Sequence, residues 1–163
     1  MFRPDPKPEK KPKVTQFKAI QRRKSKKPMD ISTPKKKPVK TVNKRLIDEC
    51  DKLFSIIVRQ SGMNDMGINK CYTCGYPDYW SNLECGHFLS RRHFTTRWDF
   101  NNARPQCTNC NVGLSGNIEI YEKKLKTEIG GQVVDELKNK ARKRFTYDLR
   151  DILLNLKQIA KCG

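Results

Sequence analysis

Four cysteines in two Cys-x-x-Cys pairs are the residues of this chain best suited to bind a metal ion. Two residues between paired thiolates let both sulfur atoms face one ion, and four thiolates make the tetrahedral ligand set of a structural zinc site. Catalytic thiols or disulfides are the alternatives for such pairs. A zinc site here would join two segments that lie 33 residues apart in sequence. The four residues are Cys71, Cys74, Cys107 and Cys110.

Residues that could hydrolyse a substrate lie between the two pairs and directly after the second. Glu84 and His87 belong to the segment ECGHF, Asn102 stands five positions before the second pair, and Asn111 directly follows it. A neutral imidazole can take a proton from water at physiological pH. A histidine beside a zinc knuckle is also often a zinc ligand or a buried core residue. The neighbouring carboxylate and the two asparagines favour catalysis.

These residues together resemble the HNH (ββα-metal) endonuclease superfamily, and more narrowly the NinG (Rap) recombination endonucleases of lambdoid phages. The resemblance covers about residues 43–160. It rests on the combination of four short motifs, each of which is weak when taken alone. They are ECGHF at Glu84, RWDFNN at Arg97, Gln106-Cys-x-x-Cys-Asn111, and SGN at Ser115.

The resemblance implies specific roles for three residues. His87 is expected to be the general base at the end of the first hairpin strand. Asn102 is expected on the loop that orients this histidine. Asn111 is expected at the start of the metal-site helix, where its amide oxygen suits a hard ion such as Mg²⁺ or Mn²⁺. Relatives act on branched DNA such as Holliday junctions and D-loops, so the same substrates are expected here.

One position departs from the pattern of many HNH enzymes. They have an acidic residue or histidine directly before the catalytic histidine, and this chain has Gly86. The catalytic ion is therefore expected to bind Asn111 together with a carboxylate, Glu84 or Asp99.

Further residues of the same window could contact DNA. Trp80, Phe94 and Trp98 could stack on unpaired bases or pack in the core. The basic run from Lys138 to Arg144 is either a second DNA-facing edge or a solvated helix face. Arginine pairs with phosphate through two parallel hydrogen bonds, so four arginines are predicted to bind DNA. They are Arg91, Arg92, Arg97 and Arg104.

The composition also indicates a polyanionic partner. Thirty-five Lys and Arg residues against 17 Asp and Glu give a formal net charge of +18. Basic side chains near phosphates release condensed counterions, which favours DNA. A membrane is not the expected partner, because the chain has no basic amphipathic helix, lipidation motif or long apolar run. The start of the chain lacks the apolar segment of a signal peptide, so we expect an intracellular protein in the bacterial cytoplasm.

The charge divides the chain into two predicted parts. Residues 1–42 hold 15 of the 35 basic residues, three acidic residues and seven of the nine prolines, and are predicted to form a disordered basic arm. Residues 43–163 are predicted to form one small α+β domain, a zinc-stapled HNH-like core flanked by helices. Its expected parts are a helix over 43–61, a zinc and catalytic core over 70–117, and helices over 118–160, the last capped by Thr146.

The leading hypothesis is a zinc-stapled endonuclease, dependent on Mg²⁺ or Mn²⁺, that cuts branched DNA in phage recombination. The alternative is a zinc-knuckle protein that binds DNA or RNA without cutting. A third hypothesis, a nuclease effector or restriction-type HNH enzyme, shares the chemistry and differs in target. Cutting both strands of a junction needs two nicks, which favours a homodimer.

Overall fold

The computed structural model describes residues 42–162, and in that range it contains four helices and two short antiparallel hairpins. The helices are α1 (Val42–Gln60), α2 (Ile118–Ile129), α3 (Gly131–Ala141) and α4 (Leu149–Cys162). The strands are β1 (Ile68–Lys70) paired with β2 (Pro77–Tyr79), and β3 (Glu84–His87) paired with β4 (Ala103–Gln106). The predicted mixture of helices and strands is confirmed. The predicted arm lies outside the described residues, apart from Val42.

Helix α1 forms because apolar residues recur along it at helical spacing, and its bounds lie within one residue of the predicted 43–61. Cys50, Phe54 and Val58 are buried on one face of this helix. They pack against Leu153 and Leu156 of α4. Ala103 of β4 and the partly buried Cys85 of β3 join the same cluster, so α1 lies directly against the second hairpin.

A second apolar cluster holds α2 and α3 against the residues that follow β3. Tyr121 and Leu125 come from α2, Val134 and Leu137 from α3, and Phe88 from the end of the hairpin strand. The chain breaks between the two helices at Gly130, whose φ of +89° falls in the left-handed region that favours glycine. The Tyr121 hydroxyl also donates to the Gly86 carbonyl at 3.2 Å, which fixes β3 from this side.

The last helix begins later than Thr146. Helix α4 starts at Leu149, and the side chain of Asp148 accepts a hydrogen bond from the Arg150 backbone N–H at 2.8 Å. Asp148 is thus the capping residue, and the prediction for Thr146 was wrong. Asp and Thr are both good N-caps, and the spacing of the apolar face cannot choose between candidates two residues apart.

The second hairpin sets the relative positions of the chemically important residues. Its register pairs Glu84 with Gln106 and His87 with Ala103. The second Cys-x-x-Cys pair therefore begins beside Glu84. A 3₁₀ turn, Phe100–Asn102, leads into β4, and a π-helical turn, Asn109–Gly113, follows it. None of the described helices is long and apolar enough to cross a membrane.

Candidate metal centre and active site

The two Cys-x-x-Cys pairs come together in space as predicted. The sulfur atoms of Cys71, Cys74, Cys107 and Cys110 all lie within 4.8 Å of one another. Cys74 Sγ and Cys107 Sγ are 3.8 Å apart. Zn–S bonds of about 2.3 Å would place tetrahedral ligands about 3.8 Å from each other. Four cysteines at this spacing could hold a metal ion such as zinc.

The surroundings of Cys71 stabilise a thiolate. Burial by itself raises the pKa of this thiol. Hydrogen bonds from the backbone N–H groups of Cys74 and Cys107 and from the Thr73 hydroxyl outweigh burial and lower the pKa to about 6. Since metals bind the thiolate, this arrangement fits a ligand. Burial raises the pKa of Cys50 to about 11 and of Cys85 to about 12, and within the cluster it raises the pKa of Cys107 to about 12.

A polar groove of about 610 Å³ lies beside the cysteine cluster. Helix α1 forms one side of it, β3 the floor, and the turn after the second cysteine pair the other side. His87, Glu84, Asn111 and Arg91, all predicted site residues, line this groove. The remaining lining residues are Asp51, Phe54, Ser55, Arg59, Leu83, Cys85, Ser90, Ser115 and Gly116.

His87 stands at the end of β3, with both ring nitrogens near backbone carbonyl oxygens. Its Nε2 lies 2.9 Å from the Arg97 carbonyl, and its Nδ1 lies 3.2 Å from the Cys85 carbonyl. Burial lowers the pKa of His87 below its ordinary value and outweighs the two carbonyls, which raise it. A neutral ring has one N–H, and the shorter contact favours the tautomer in which Nε2–H donates to Arg97. Nδ1 then carries the free lone pair.

The Arg97 carbonyl that meets His87 is held in place through its own side chain. Arg97 Nε and Nη2 donate to the carboxylate of Asp51 on α1 at 2.9 and 2.5 Å, and the Trp98 indole donates to it at 2.8 Å. Burial raises the pKa of Asp51, but these bonds lower it below the usual value. This bidentate pair ties α1 to the loop that faces His87.

Asn102 is completely buried and holds the loop that follows His87. Its side-chain oxygen accepts from the Leu89 N–H at 2.7 Å, and its nitrogen donates to the carbonyls of Leu89 and Thr96 at 3.0 and 2.9 Å. All three hydrogen bonds of its side chain are with backbone atoms. Asn102 is the last residue of the 3₁₀ turn that leads into β4.

Glu84 and Asn111 lie in contact through a hydrogen bond between their side chains. The Asn111 amide nitrogen donates to Glu84 Oε2 at 2.5 Å, and the Thr108 hydroxyl donates to Glu84 Oε1 at 3.2 Å. Asn111 lies within the helical turn Asn109–Gly113 that follows β4. Asp99 lies elsewhere. It accepts from Asn101 at the 3₁₀ turn and pairs with Lys140 at 2.6 Å.

The structure explains why a glycine precedes His87 in the sequence. A Cβ atom on Gly86 would lie 2.0 Å from Gln106 Oε1, because the Gln106 side chain fills that space. Gln106 is fully buried, and its amide nitrogen donates to the Thr73 hydroxyl and the Gly116 carbonyl. Its Oε1 has no partner among the described residues. An acidic residue at position 86 would have to displace this side chain.

The four arginines predicted to bind DNA divide into two kinds. Arg91 and Arg92 are exposed and make no ion pair within residues 42–162. Arg97 pairs with Asp51, and Arg104 pairs with Glu128 through Nη2 at 2.8 Å. Arg91 and Arg92 are therefore available to bind phosphate, whereas Arg97 and Arg104 form ion pairs within the protein.

Sequence reasoning missed the contribution of α1 to the groove. Asp51, Ser55 and Arg59 all line it and are spaced four residues apart, so they share one helix face. Arg59 donates to the carbonyls of Ser81 and Leu83 at 3.2 and 3.3 Å. The regular spacing of these polar residues beside the apolar face of α1 was the sequence feature that could have predicted their place in the groove.

The fold and these sites define a protein of mixed helices and strands with a four-cysteine cluster that could hold a metal ion, and with a groove that combines an imidazole, a carboxylate and an exposed arginine. The chain belongs to the family of the bacteriophage lambda NinG protein, whose model matches residues 6–162. Membership implies a phage protein related to recombination, and it confirms the resemblance to NinG found in the sequence. No curated protein and no solved structure matched the chain.

Proposed function

We propose that this chain is an HNH-type DNA endonuclease that cuts branched intermediates of phage recombination, such as Holliday junctions and D-loops, in the bacterial cytoplasm. The observation that carries the proposal is the groove in which His87, Glu84, Asn111 and Arg91 come together. Family membership supports the setting in recombination. A protein that only binds nucleic acid does not need a neutral imidazole beside a carboxylate and an amide.

His87 acts in this proposal as the general base. Its pKa is depressed by burial, so the ring is neutral at physiological pH and Nδ1 can take a proton from water. Once protonated, Nδ1–H can donate to the Cys85 carbonyl while Nε2–H keeps its bond to the Arg97 carbonyl. Both charged N–H groups then have acceptors. General base catalysis of this kind contributes roughly 10²–10⁴-fold to the rate.

Glu84 and Asn111 would hold the Mg²⁺ or Mn²⁺ ion, because carboxylate and amide oxygens are the ligands that hard ions prefer. Such an ion, when bound, stabilises negative charge at the phosphate and the departing oxygen. The Asn111 amide must rotate first, since its nitrogen contacts Glu84. The Thr108 hydroxyl orients the carboxylate through Oε1.

Arg91 and Arg92 would hold the DNA backbone beside His87. They are exposed, and Arg91 borders the groove itself, so a phosphate can reach both the arginine and the base. Attack by water and loss of the 3′ oxygen would give 5′-phosphate and 3′-hydroxyl ends. Resolving a four-way junction takes two such nicks, so we propose that two copies of the chain act together.

Incubation with labelled four-way junction, Y-fork and plain duplex, with and without Mg²⁺ or Mn²⁺, tests this function. We expect metal-dependent cutting of branched DNA in preference to duplex. His87→Ala should retain its zinc content, melting temperature and junction affinity but lose roughly 10²–10⁴-fold in cutting rate. Asn111→Ala should also lose activity, and raised Mn²⁺ should partly restore it, because a missing ligand weakens ion binding first.

Asn139→Ala on α3 is the matched control for Asn111→Ala, since its side chain is exposed and makes no hydrogen bond to described residues. This variant should cut like the wild type. Normal cutting by His87→Ala would exclude the proposed mechanism. Junction binding with no cutting under any metal would favour the alternative, a zinc-knuckle protein that binds nucleic acid.

A further inference from the structure

Two similar segments, distant in sequence, lie side by side on the surface next to the groove. One reads Arg91-Arg92-His93-Phe94 and the other Arg142-Lys143-Arg144-Phe145, so that a phenylalanine follows two arginines and a histidine in the first and three cations in the second. His93 Nδ1 lies 3.1 Å from the carbonyl of Ala141, directly before the second segment. The two phenylalanine rings are 5.5 Å apart between centroids. The two segments therefore lie side by side, with His93 beside the start of the second segment and the two phenylalanine rings in contact.

An open aromatic groove of about 360 Å³ adjoins these segments. Trp98 contacts both phenylalanines, with ring centroids 5.9 Å from Phe94 and 6.2 Å from Phe145. Tyr147 packs on Phe145 at 5.7 Å and is 58% exposed, while Phe100 on the other side is 39% exposed. Such exposed ring faces, beside a groove with room for a planar group, are available for stacking.

The cations of the second segment have no internal role in the described part of the chain. Arg142, Lys143 and Arg144 are exposed and form no ion pair there. Arg97 and Arg104, in contrast, are largely buried and neutralised by carboxylates. Unpaired cations grouped beside exposed aromatic rings match a ligand that has phosphates and free base faces together. In a paired duplex the base faces are stacked and unavailable, whereas a single strand offers both phosphates and base faces.

We propose that this surface binds a stretch of unpaired single-stranded DNA. Phosphates lie on Arg142, Lys143 and Arg144, and a base stacks in the aromatic groove against Tyr147 and Phe100. The inference rests on the proposed action on DNA and names the feature of a branched substrate that the protein recognises. Arg91 belongs to both this surface and the catalytic groove, so the unpaired strand lies close to the phosphate that is cut.

Fluorescence anisotropy with labelled oligothymidine of about 15 nucleotides and with a duplex of the same length tests the stacking contact without any cutting. The zinc-containing full chain is used with no other divalent cation. Tyr147→Ala should weaken oligothymidine binding about ten-fold and duplex binding less than two-fold. Tyr147→Phe keeps the ring and should bind like the wild type. An equal loss on both DNAs, or no loss on oligothymidine, would overturn the assignment.

Replacing Arg142, Lys143 and Arg144 together by Gln tests the phosphate contacts. The slope of log affinity against log salt on oligothymidine should fall by about 2, since each single-strand phosphate contact contributes roughly 0.7. The control replaces three exposed lysines of equal total charge on α1, α2 and α4 by Gln, namely Lys52, Lys123 and Lys161. An equal fall in the control would mean general charge attraction and would overturn the proposal.

These measurements separate the two proposals. If the chain binds oligothymidine through Tyr147 but cuts no DNA under any metal, the single-strand surface is supported and the proposed endonuclease function is excluded. If the wild-type chain cuts junctions and the Tyr147→Ala variant binds all DNAs normally, the endonuclease function is supported and the single-strand surface is excluded. Specific binding of an acidic protein, with no preference for unpaired DNA, would also overturn the proposal.

Discussion

At the scale of single residues, His87 shows how burial and backbone carbonyls act on one imidazole in opposite directions. The carbonyls of Arg97 and Cys85 favour the charged ring, and burial disfavours it more strongly. The result is a pKa below the ordinary 6.5 of histidine. A base that is already neutral at physiological pH is ready to accept a proton, while a protonated one is inactive.

The pH dependence of cutting should follow from that depressed pKa. We expect single-turnover cutting to fall at acidic pH, with a midpoint below 6.5, as the pH drops through the lowered pKa of His87 in the folded protein. The residual activity of His87→Ala should lack this acidic fall. Junction affinity measured over the same range controls for loss of binding. An acidic fall with its midpoint above 6.5 would contradict the assignment of His87 in this environment.

Gly86 should tolerate no side chain while Gln106 is present. Gly86→Ala places a Cβ 2.0 Å from a buried, hydrogen-bonded amide, and we expect a loss of about 1–3 kcal/mol in the free energy of unfolding. Gln106→Ala removes the obstacle, so the double variant should be more stable than the sum of the single losses predicts. Denaturant unfolding measures all three. Gly131→Ala is the control, because a Cβ there meets nothing within 4 Å.

Three residues that line the groove could be predicted from sequence, whereas the pairing of Arg97 with Asp51 could not. His87, Glu84 and Asn111 belong to a motif whose residue types limit the chemistry, and they do line one groove. The pairing of Arg97 with Asp51 depends on a contact between residues 46 positions apart. Nothing in the residue type of an arginine tells whether it meets a phosphate or a carboxylate, so Arg97 and Arg91 looked equivalent.

At the scale of elements, the cysteine cluster joins the first hairpin to the end of the second. Cys71 and Cys74 lie between β1 and β2, and Gly75 closes the knuckle with φ of +79° and a hydrogen bond to the Cys71 carbonyl. Gln106 at the end of β4 continues the connection, because it bonds Thr73, whose hydroxyl contacts the Cys71 sulfur. These short strands bury little apolar surface, so a metal ion would contribute most of their stability.

Helices were easier to predict than these hairpins for a physical reason. A periodicity of 3.6 residues repeats several times over α1 and α4, whereas strands of three or four residues carry too few positions to display a period of two. The exact start of α4 depended on whether Thr146 or Asp148 caps it, and both residue types suit that role. Long repeated patterns are thus informative, and single boundary residues are not.

Removal of the metal should therefore affect the hairpins before the helices. Chelation, or Cys71→Ser, should abolish zinc binding, lower the melting temperature by about 10 °C or more, and eliminate cutting. Far-UV circular dichroism should retain most of its helical signal, since α1 and α4 pack through their own apolar faces. Cys85→Ala, outside the cluster, should keep one zinc per chain by elemental analysis. A metal-free protein with unchanged melting and cutting would contradict a structural zinc.

At the scale of the whole molecule, most of the net positive charge lies in residues 1–42, separate from the arginines and aromatic rings that could recognise a DNA structure. Residues 1–42 contribute +12 of the formal net charge of +18, with few apolar residues and seven prolines. The remaining domain holds its arginines in defined places, some paired with carboxylates and some exposed. Lysine and arginine attract phosphates through charge alone, and this attraction is independent of the sequence and the shape of the DNA.

Deleting residues 1–40 should accordingly weaken binding to every DNA without changing the preference among them. We expect at least a ten-fold loss of affinity at about 100 mM salt for junction, fork and duplex alike, with a flatter salt dependence, because fewer counterions are released. A chain in which the sequence of residues 1–40 is scrambled keeps the same charge and should bind like the wild type. If scrambling or deletion instead removed the discrimination between junction and duplex, the arm would read DNA structure. Recognition could then not be assigned to the exposed arginines and aromatic rings of the domain.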